Sequence, residues 1–194
     1  MTNKTFLPKK IRGIALLTVS VLSVAMIPVA QSQLVFRNTV TGDVLDLSFG
    51  KKGEKTEAVE HFLNTGENLY NTDEEAIKSG ESLFMTACSG CHGHNAEGKL
   101  GPALGDDYYT YPKNATDKGF FETIYGGARS MMGPQYNNLT KDEILHIMAW
   151  VRSVYWGSAD KAEWLTEEQK ANFEPAEVPE DFKEAMDNFN KTHH

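Results

Sequence analysis

The sequence predicts an all-α fold, and three observations support this prediction. Two segments carry the residue pattern of a helix capping box, Thr72-Asp73-Glu74-Glu75 and Thr140-Lys141-Asp142-Glu143. Alternation of apolar and polar residues, the pattern of strands, is confined to residues 33–50 around the turn signal Thr41-Gly42-Asp43. After the second capping box, apolar residues recur at helical spacing: Ile144, Ile147, Met148, Val151, Val154 and Tyr155. We therefore expect a helical protein with one short hairpin.

Four helices follow from this periodicity and from the signals that stop a helix. Glycines end two of them, Gly66 the first and Gly126-Gly127 the third. Residues 93–116 are rich in Gly, Asn, Asp and Tyr and are predicted to form a loop. Residues 165–173 carry a weaker helical pattern. The four predicted helices span residues 54–64, 73–92, 117–125 and 140–155.

The first 32 residues are similar to an export signal. A basic segment precedes an apolar stretch at residues 13–30, and the small residues Ala30 and Ser32 form a cleavage-site pattern. We expect cleavage after Ser32 and a periplasmic location. The alternative is an uncleaved membrane anchor, because residues 13–30 are close to the minimum length that spans a bilayer. No second apolar stretch of this length follows, so no stable membrane insertion is expected after cleavage. The basic residues of the segment are Lys4, Lys9, Lys10 and Arg12.

The chain is acidic, and the acidity is unevenly spread. The full sequence has a formal charge of −8, and residues 33–194 keep 15 basic and 27 acidic side chains, a charge of −12. This charge excludes nucleic acid as a natural partner and favours a basic surface on another protein. Residues 158–194 hold ten acids and four basic residues. This acidic tail serves either docking or solubility.

The only two cysteines of the chain lie three positions apart, and a histidine follows the second. Cys88-Ser89-Gly90-Cys91-His92 is the C-x-x-C-H pattern for attachment of c-type haem. Two thiols at this spacing reach the two vinyl groups of one porphyrin, and His92 is then carried beneath the iron as an axial ligand. The sequence therefore predicts one haem c, bound covalently at Cys88 and Cys91.

Three other kinds of site also use closely spaced cysteines. A thioredoxin-like dithiol follows a strand, whereas a predicted helix precedes Cys88. A zinc site would need His94 to join the three residues of the motif, and ligands so close in sequence make a poor tetrahedral site. A structural disulfide leaves His92 unexplained. Haem is therefore the favoured interpretation.

A second axial ligand is expected on the opposite side of the iron. Methionine raises the potential, and a six-coordinate iron offers a substrate no binding place, which suits an electron carrier. Met131 and Met132 lie in a glycine-rich loop about forty residues after His92. Adjacent side chains of an extended segment point in opposite directions, so only one of the two can bind iron. Other methionines and histidines are disfavoured by position: Met85, Met148, Met186, His61, His94 and His146.

The order of these motifs resembles that of class I cytochromes c, and within them the chain is similar to the cytochrome cL family. The resemblance implies a class I cytochrome c core of three to five helices at residues 73–157. Outside this core, the residue patterns predict an N-terminal hairpin and helix extension at residues 33–72 and the acidic tail at residues 158–194. The segments that carry the likeness to the cytochrome cL family are Cys88-Ser89-Gly90-Cys91-His92-Gly93-His94, Lys99-Leu100-Gly101-Pro102, Tyr109-Thr110-Tyr111-Pro112, Tyr125-Gly126-Gly127-Ala128 and Met132-Gly133-Pro134.

The resemblance also implies roles for particular residues. In class I cytochromes c the first and last helices cross closely where a small residue admits an aromatic side chain, and Gly80, Phe84 and Trp150 match these positions. The proline after the haem motif offers its carbonyl to the proximal imidazole, and Pro102 matches it. In the cytochrome cL family the methionine of the Met-Gly-Pro triplet is the distal ligand. This selects Met132, with Met131 as the second choice.

Finally, the resemblance implies a function in methanol utilisation. Members of the cytochrome cL family accept electrons from a pyrroloquinoline-quinone (PQQ) methanol dehydrogenase and pass them to another cytochrome c, so an electron-transfer protein and not an enzyme is expected. The family also carries a calcium ion near a haem propionate, and the resemblance assigns it no ligands here. Three alternatives stay open: an acceptor for a lanthanide-dependent dehydrogenase, a haem enzyme or gas sensor with an open distal site, and a tethered subunit of a membrane complex.

Overall fold

The computed structural model of the chain describes Met1 and residues 34–184. The chain divides into two units, Met1–Ser32 and Gln33–His194, and the described helices belong to the second. Six α-helices lie wholly within the described residues: α1 (Glu57–Thr65), α2 (Glu74–Ala87), α3 (Ser89–His92), α4 (Asp117–Gly126), α5 (Lys141–Ser153) and α6 (Glu167–Ala171). These helices confirm the predicted all-α class.

Some predictions concern parts of the chain that the structure does not describe. The proposed export signal and its cleavage site lie outside the described residues, apart from Met1, and so do residues 185–194 of the acidic tail with Met186. Within residues 34–184, none of the helices is long and apolar enough to cross a membrane.

Helices α2 and α5 cross at Gly80, as the resemblance predicts. A Cβ atom added to Gly80 would collide with the backbone carbonyl of His146 and would lie 3.1 Å from the Cβ atom of Trp150. One turn further along α2, the rings of Phe84 and Trp150 lie 4.3 Å apart between centroids. The missing side chain at Gly80 therefore lets the two helices approach closely and allows this aromatic contact to form.

The two predicted capping boxes have different outcomes. At α5 the box is present, because Thr140 accepts from the Glu143 N–H and the Glu143 carboxylate accepts from the Thr140 N–H. At α2 the prediction is wrong by one residue, since Thr72 ends a 3-10 turn (Leu69–Thr72) and Asp73 caps the helix instead. Helix α2 also ends at Ala87 rather than running to residue 92, because the backbone of Cys88 leaves the helical conformation.

The hairpin predicted at residues 33–50 is present only as a tight turn closed by one antiparallel bridge, Arg37 to Val44. Two backbone hydrogen bonds of 2.8 and 2.9 Å flank this bridge. The turn does not continue as strands, because the Arg37 N–H donates to the Glu122 carboxylate at 2.6 Å. The N-terminal extension is therefore fixed to α4 and not to a sheet.

An aromatic cluster joins the extension to the rest of the core. The rings of Phe36, Phe62 and Phe121 come from the extension, α1 and α4, and their centroids lie 4.8 to 5.6 Å apart. All three side chains are buried. Together they place α4 against the N-terminal extension, which leaves the other side of α4 facing the candidate site.

The described part of the acidic tail packs along the C-terminal end of α5. The Phe173 ring lies 5.9 Å from that of Tyr155, and the Phe182 ring lies 5.4 Å from that of Trp156. The Ala176 N–H donates to the Tyr155 carbonyl at 2.9 Å. The tail thus follows the protein surface, and its helix α6 falls within the weak helical pattern at residues 165–173.

Candidate haem site

A cavity of about 460 Å³ lies between α2, α4, α5 and the two long loops. Every predicted haem residue lines it: Cys88, Cys91, His92, Met132 and the second choice, Met131. Its volume lies within the range of ordinary cofactor pockets. The structure therefore brings together residues that are up to 44 positions apart in the sequence.

The two cysteines belong to the junction between α2 and α3. Cys88 follows the last residue of α2 and precedes α3, and its N–H donates to the Phe84 carbonyl at 2.8 Å. No disulfide joins the two cysteines, and Cys88 is half-buried whereas Cys91 is exposed. Burial raises the pKa of the Cys88 thiol to about 11, with a smaller contribution from Cys91. This surrounding disfavours a thiolate and suits an uncharged thioether.

The imidazole of His92 is held in one tautomer. Its Nδ1 atom lies 2.9 Å from the Pro102 carbonyl oxygen, which can only accept a hydrogen bond. Nδ1 therefore carries the proton, and Nε2 keeps its lone pair for a metal ion. A Cβ atom added to Gly101 would come within 2.7 Å of the His92 ring, so the loop passes flat against the imidazole. This contact is the one that the family resemblance predicts for Pro102.

The two loop methionines face different surroundings. Met131 is 78% exposed, whereas Met132 is half-buried and packs against the apolar core. The Ala128 N–H donates to the Met132 carbonyl at 2.9 Å, and Ser130 has a left-handed φ of 65°, so the loop turns sharply between them. This placement favours Met132 over Met131 as the inward-facing ligand.

The other candidates for an axial ligand lie elsewhere. Met148 is fully buried in the core, and His146 bonds through Nδ1 to the Ser79 hydroxyl at 3.0 Å. The cavity lining contains none of the disfavoured candidates that the structure describes: Met85, Met148, His61, His94 and His146.

The shape of the lining fits a haem. Much of the wall is apolar, with Phe84, Leu104 and Ile147 among the lining residues, and Asn114 and Arg152, which are hydrogen-bonded to each other, form a polar end. At that end the hydroxyl of Tyr109 is buried and has no hydrogen-bond partner among the described residues. A haem has an apolar macrocycle and two carboxylates along one edge. Such a molecule would cover the apolar walls and offer an acceptor to the orphaned hydroxyl.

Sequence reasoning missed a buried ion pair at this polar end. Arg152 Nε donates to Asp117 Oδ1 at 3.1 Å, and both side chains are almost fully buried. The Arg152 guanidinium also lies 3.8 Å from the centroid of the Trp164 ring. The available signal was the position of Arg152, four residues after Met148, which places a charge on the apolar stripe of α5.

The family resemblance also implies a calcium ion. Among residues 34–184, no three His, Cys, Asp or Glu side chains are arranged to hold a metal ion.

Comparison with known proteins matches the chain to cytochromes c. The sequence pattern of the family described as cytochrome c matches residues 77–155. Cytochrome c-L of Methylorubrum extorquens is 52% identical over 182 residues, which cover 88% of this chain and 92% of that protein.

Two solved structures are also similar. The crystal structure of cytochrome cL from the marine methylotroph Methylophaga aminisulfidivorans has a TM-score of 0.76 and 95% identity, and the match covers 77% of this chain and all of that chain. Cytochrome cL from Hyphomicrobium denitrificans has a TM-score of 0.70 and 45% identity, and the match covers 84% of this chain and 95% of that one.

Proposed function

Because the chain belongs to the cytochrome cL family, we propose that it accepts single electrons from a PQQ methanol dehydrogenase and passes them to another cytochrome c in the periplasm. Family membership makes the chain a c-type cytochrome with covalent haem, an electron carrier and not an enzyme. The observation that carries the finer proposal is the 52% identity, which extends over 88% of the chain and so well beyond the cytochrome c core. A haem motif alone is shared by carriers with many different donors.

In this proposal four residues hold the haem. Cys88 and Cys91 would attach it through thioethers, His92 would bind the iron through Nε2, and Met132 would supply the second protein ligand to the iron. The haem supplies one-electron chemistry, because its iron alternates between ferric and ferrous states. The Pro102 contact and the half-buried position of Met132 support these assignments. A calcium ion beside a propionate stays a prediction from the family resemblance.

The rim of the cavity offers an apolar contact surface. Leu100, Tyr108 and Met131, which we call the mouth patch, are 72%, 71% and 78% exposed, and all three line the cavity. Apolar side chains around the opening of a cofactor cavity offer a surface that another protein can cover. We propose that the donor dehydrogenase contacts the mouth patch, because electron-transfer complexes are small and transient and need the haem edge close to the partner.

Part of the acidic tail lies beside the loop that follows the haem motif. Asp181 and Phe182 line a cleft together with Gly93, His94 and Lys99 from the loop that follows the haem motif. One tail carboxylate, that of Asp181, is thus near the segment that follows the haem motif. We propose that the tail carboxylates guide the carrier toward a basic partner, while the mouth patch makes the contact.

The proposed location of the protein is the periplasm, after removal of residues 1–32. This proposal is based on the sequence pattern of an export signal. Of the alternatives, a haem enzyme or gas sensor needs an open distal site, and the inward-facing Met132 argues against one. A lanthanide-dependent dehydrogenase as donor stays the second candidate, because nothing in the haem site distinguishes the two donors.

The test is direct reduction by purified dehydrogenases. The oxidised protein is mixed with the reduced calcium-containing PQQ methanol dehydrogenase or with a reduced lanthanide-dependent enzyme, and the haem absorption is followed by stopped flow. We expect fast reduction by the first enzyme and slower reduction by the second. Preferential reduction by the lanthanide enzyme, or no reduction by either, contradicts the proposal.

A further inference from the structure

The methionines of the protein differ widely in their exposure to water. Met131 is 78% exposed, whereas Met148 is fully buried in the core. Met85 and Met132 are half-buried and pack against the apolar core. Among residues 34–184, Met131 is therefore the methionine that a small molecule in solution reaches most easily.

The loop that carries Met131 fixes its backbone and leaves its side chain in water. Ser130 has a left-handed φ of 65°, and the Met131 carbonyl accepts from the Gly133 N–H at 3.0 Å. The Met132 carbonyl accepts from the Ala128 N–H at 2.9 Å. The chain thus turns back on itself at this point, and Met131 lies at the exposed end of the turn, at the opening of the cavity.

An exposed thioether can undergo a reaction that the other members of the mouth patch cannot. Hydrogen peroxide transfers one oxygen atom to the sulfur of methionine: the O–O bond breaks, an S=O bond forms, the sulfur loses two electrons and water is released. The product, methionine sulfoxide, is polar. Leu100 and Tyr108 contain no sulfur. The reaction is reversible, because reductases return the sulfoxide to the thioether and water while a dithiol is oxidised to a disulfide.

We propose that Met131 is a site of reversible oxidation by hydrogen peroxide, and that its oxidation weakens docking of the donor dehydrogenase. This inference rests on the contact between the donor and the mouth patch in the proposed function, and goes beyond it by naming a modification that controls this contact. Docking would remove the Met131 side chain from water. A sulfoxide oxygen that finds no donor in the interface then costs free energy that the thioether does not cost.

Met132 should be spared, although it is the next residue in the chain. It is half-buried against the core, and in the proposed function its sulfur binds the iron. Peroxide needs a free lone pair on the sulfur to form the S=O bond. Oxidation of Met131 should therefore leave the far-red absorption band and the midpoint potential unchanged.

The modification changes polarity and leaves the charge as it is. A sulfoxide is neutral, so electrostatic guidance by the acidic tail should be unaffected and the loss should lie in the close contact. When docking is transient, the second-order rate of reduction follows the population of the docked complex. We expect this rate to fall about tenfold, which corresponds to ~1.4 kcal/mol, by a similar factor at low and at high salt.

The experiment uses the ferric protein and dilute hydrogen peroxide, which is destroyed with catalase before any further step. Mass spectrometry of peptides locates the sulfoxides, and we expect Met131 to be oxidised before Met85, Met132 and Met148. Reduction by the dehydrogenase is then followed by stopped flow, and the treated protein should react about tenfold more slowly. Treatment with the two methionine sulfoxide reductases, one for each epimer, should restore the rate.

Met131→Leu is the decisive variant, because leucine is similar in size and has no sulfur. Each protein is compared with itself before and after peroxide, so that a change of the starting rate by the substitution does not enter the comparison. Peroxide should not slow Met131→Leu. The matched control is Met85→Leu, which removes a half-buried methionine and should respond to peroxide as the natural protein does. Reduction of the natural protein by ascorbate, which needs no docking, should be the same before and after treatment.

Several results would overturn the inference. They are an unchanged rate of reduction by the dehydrogenase when Met131 is fully oxidised, an equal loss of rate in Met131→Leu, and oxidation of Met85, Met132 or Met148 before Met131. Loss of the far-red band after oxidation confined to Met131 also overturns it, since Met131 would then be the iron ligand.

Failure of the proposed function gives a different result. If neither dehydrogenase reduces the untreated protein, the proposed function is wrong and this inference with it. If the untreated and the treated protein are reduced at the same rate, the inference alone is wrong.

Discussion

The Nδ1 atom of His92 lies 2.9 Å from the carbonyl oxygen of Pro102. This contact fixes the imidazole orientation through Nδ1, so the proposed iron ligand is positioned by a backbone atom ten residues later. Gly101 makes the contact possible, since a side chain there would touch the imidazole ring. The proposed haem ligand and the loop that holds it therefore form one unit.

Covalent haem attachment should survive denaturation. Mass spectrometry of the unfolded protein should show one haem per chain, and Cys88→Ser or Cys91→Ser should leave at most one thioether. Ser89→Thr, inside the same motif, should keep both bonds. Haem that extracts freely into acidified solvent from the natural protein contradicts the assignment.

Met132→Ala should abolish the far-red absorption band of methionine bound to ferric iron and lower the midpoint potential, because a thioether ligand raises that potential. Met131→Ala is the matched control, since Met131 is the neighbouring residue and is exposed. It should keep the band. The opposite pattern, with the band lost only in Met131→Ala, would show that the outward residue turns inward when the haem binds.

Gly80→Val should lower the free energy of unfolding by about 3 kcal/mol, because the added side chain would overpack the crossing of α2 and α5. Ser82→Val, at an exposed position of the same helix, should cost less than about 0.5 kcal/mol. Urea unfolding of both variants measures the difference. Equal stability of the two variants would mean that the helices do not cross closely at Gly80.

Glu122 should make stability depend on pH in the acid range. Burial raises its pKa, but hydrogen bonds from Lys113 and Lys118 outweigh burial, and the net effect lowers the pKa below its ordinary value of 4.5. A lowered pKa in the folded state stabilises the protein above about pH 4.5, and this contribution is lost as the pH falls. Glu122→Gln should therefore flatten the acid limb of the stability curve and cost about 3 kcal/mol at pH 7.

The matched control for this prediction is Glu81→Gln, an exposed acid on α2. Its stability curve should follow that of the natural protein at every pH. Denaturant unfolding between pH 3 and pH 7 distinguishes the variants. An acid limb that is unchanged in Glu122→Gln would assign the acid sensitivity to other carboxylates.

Electrostatic guidance by the tail should appear in the rate of association. Raising the salt from about 10 mM to about 300 mM shortens the screening length from about 30 Å to below 8 Å, and second-order reduction by the dehydrogenase should slow about tenfold. Deleting the tail would also expose Arg152. Substitutions that remove the acidic charges and keep the size of the side chains are therefore the cleaner test. Replacing three tail acids by glutamine should reduce the salt dependence: Glu174, Glu177 and Glu180.

The control replaces three exposed acids away from the tail: Glu54, Glu57 and Glu81. These changes should leave the salt dependence nearly as steep as in the natural protein. Equal flattening by both sets would mean that net charge alone guides the carrier. A rate that does not respond to salt in the natural protein would assign docking to the mouth patch alone.

The sequence predicted the parts of the fold that depend on local signals. The cap at Thr140, the stop at Gly66 and the Cys88-to-His92 motif each depend on neighbours within a few residues, and the structure has each of them in place. The cap at Asp73 was missed because Thr72 belongs to the preceding 3-10 turn. When two consecutive residues can both cap a helix, the sequence does not show which one does so.

Features that depend on distant partners were beyond sequence reasoning. A short hairpin was expected at residues 33–50, but the Arg37 N–H bonds to Glu122, 85 residues later. The polar end of the cavity depends on Arg152, Asp117 and Tyr109, which come from three separate segments. A charge on an apolar stripe indicates that a partner exists, but it does not identify that partner.

The aromatic cluster of Phe36, Phe62 and Phe121 has a consequence for protein engineering. Two of its three rings come from before residue 73, where the cytochrome c core was expected to begin, and the third comes from α4. A graft of residues 73–157 into another scaffold would therefore leave apolar side chains of α4 exposed to water. The smallest fragment that can be transferred with its haem site intact begins near residue 34. A chimera that carries a shorter fragment should be insoluble or should form a molten globule.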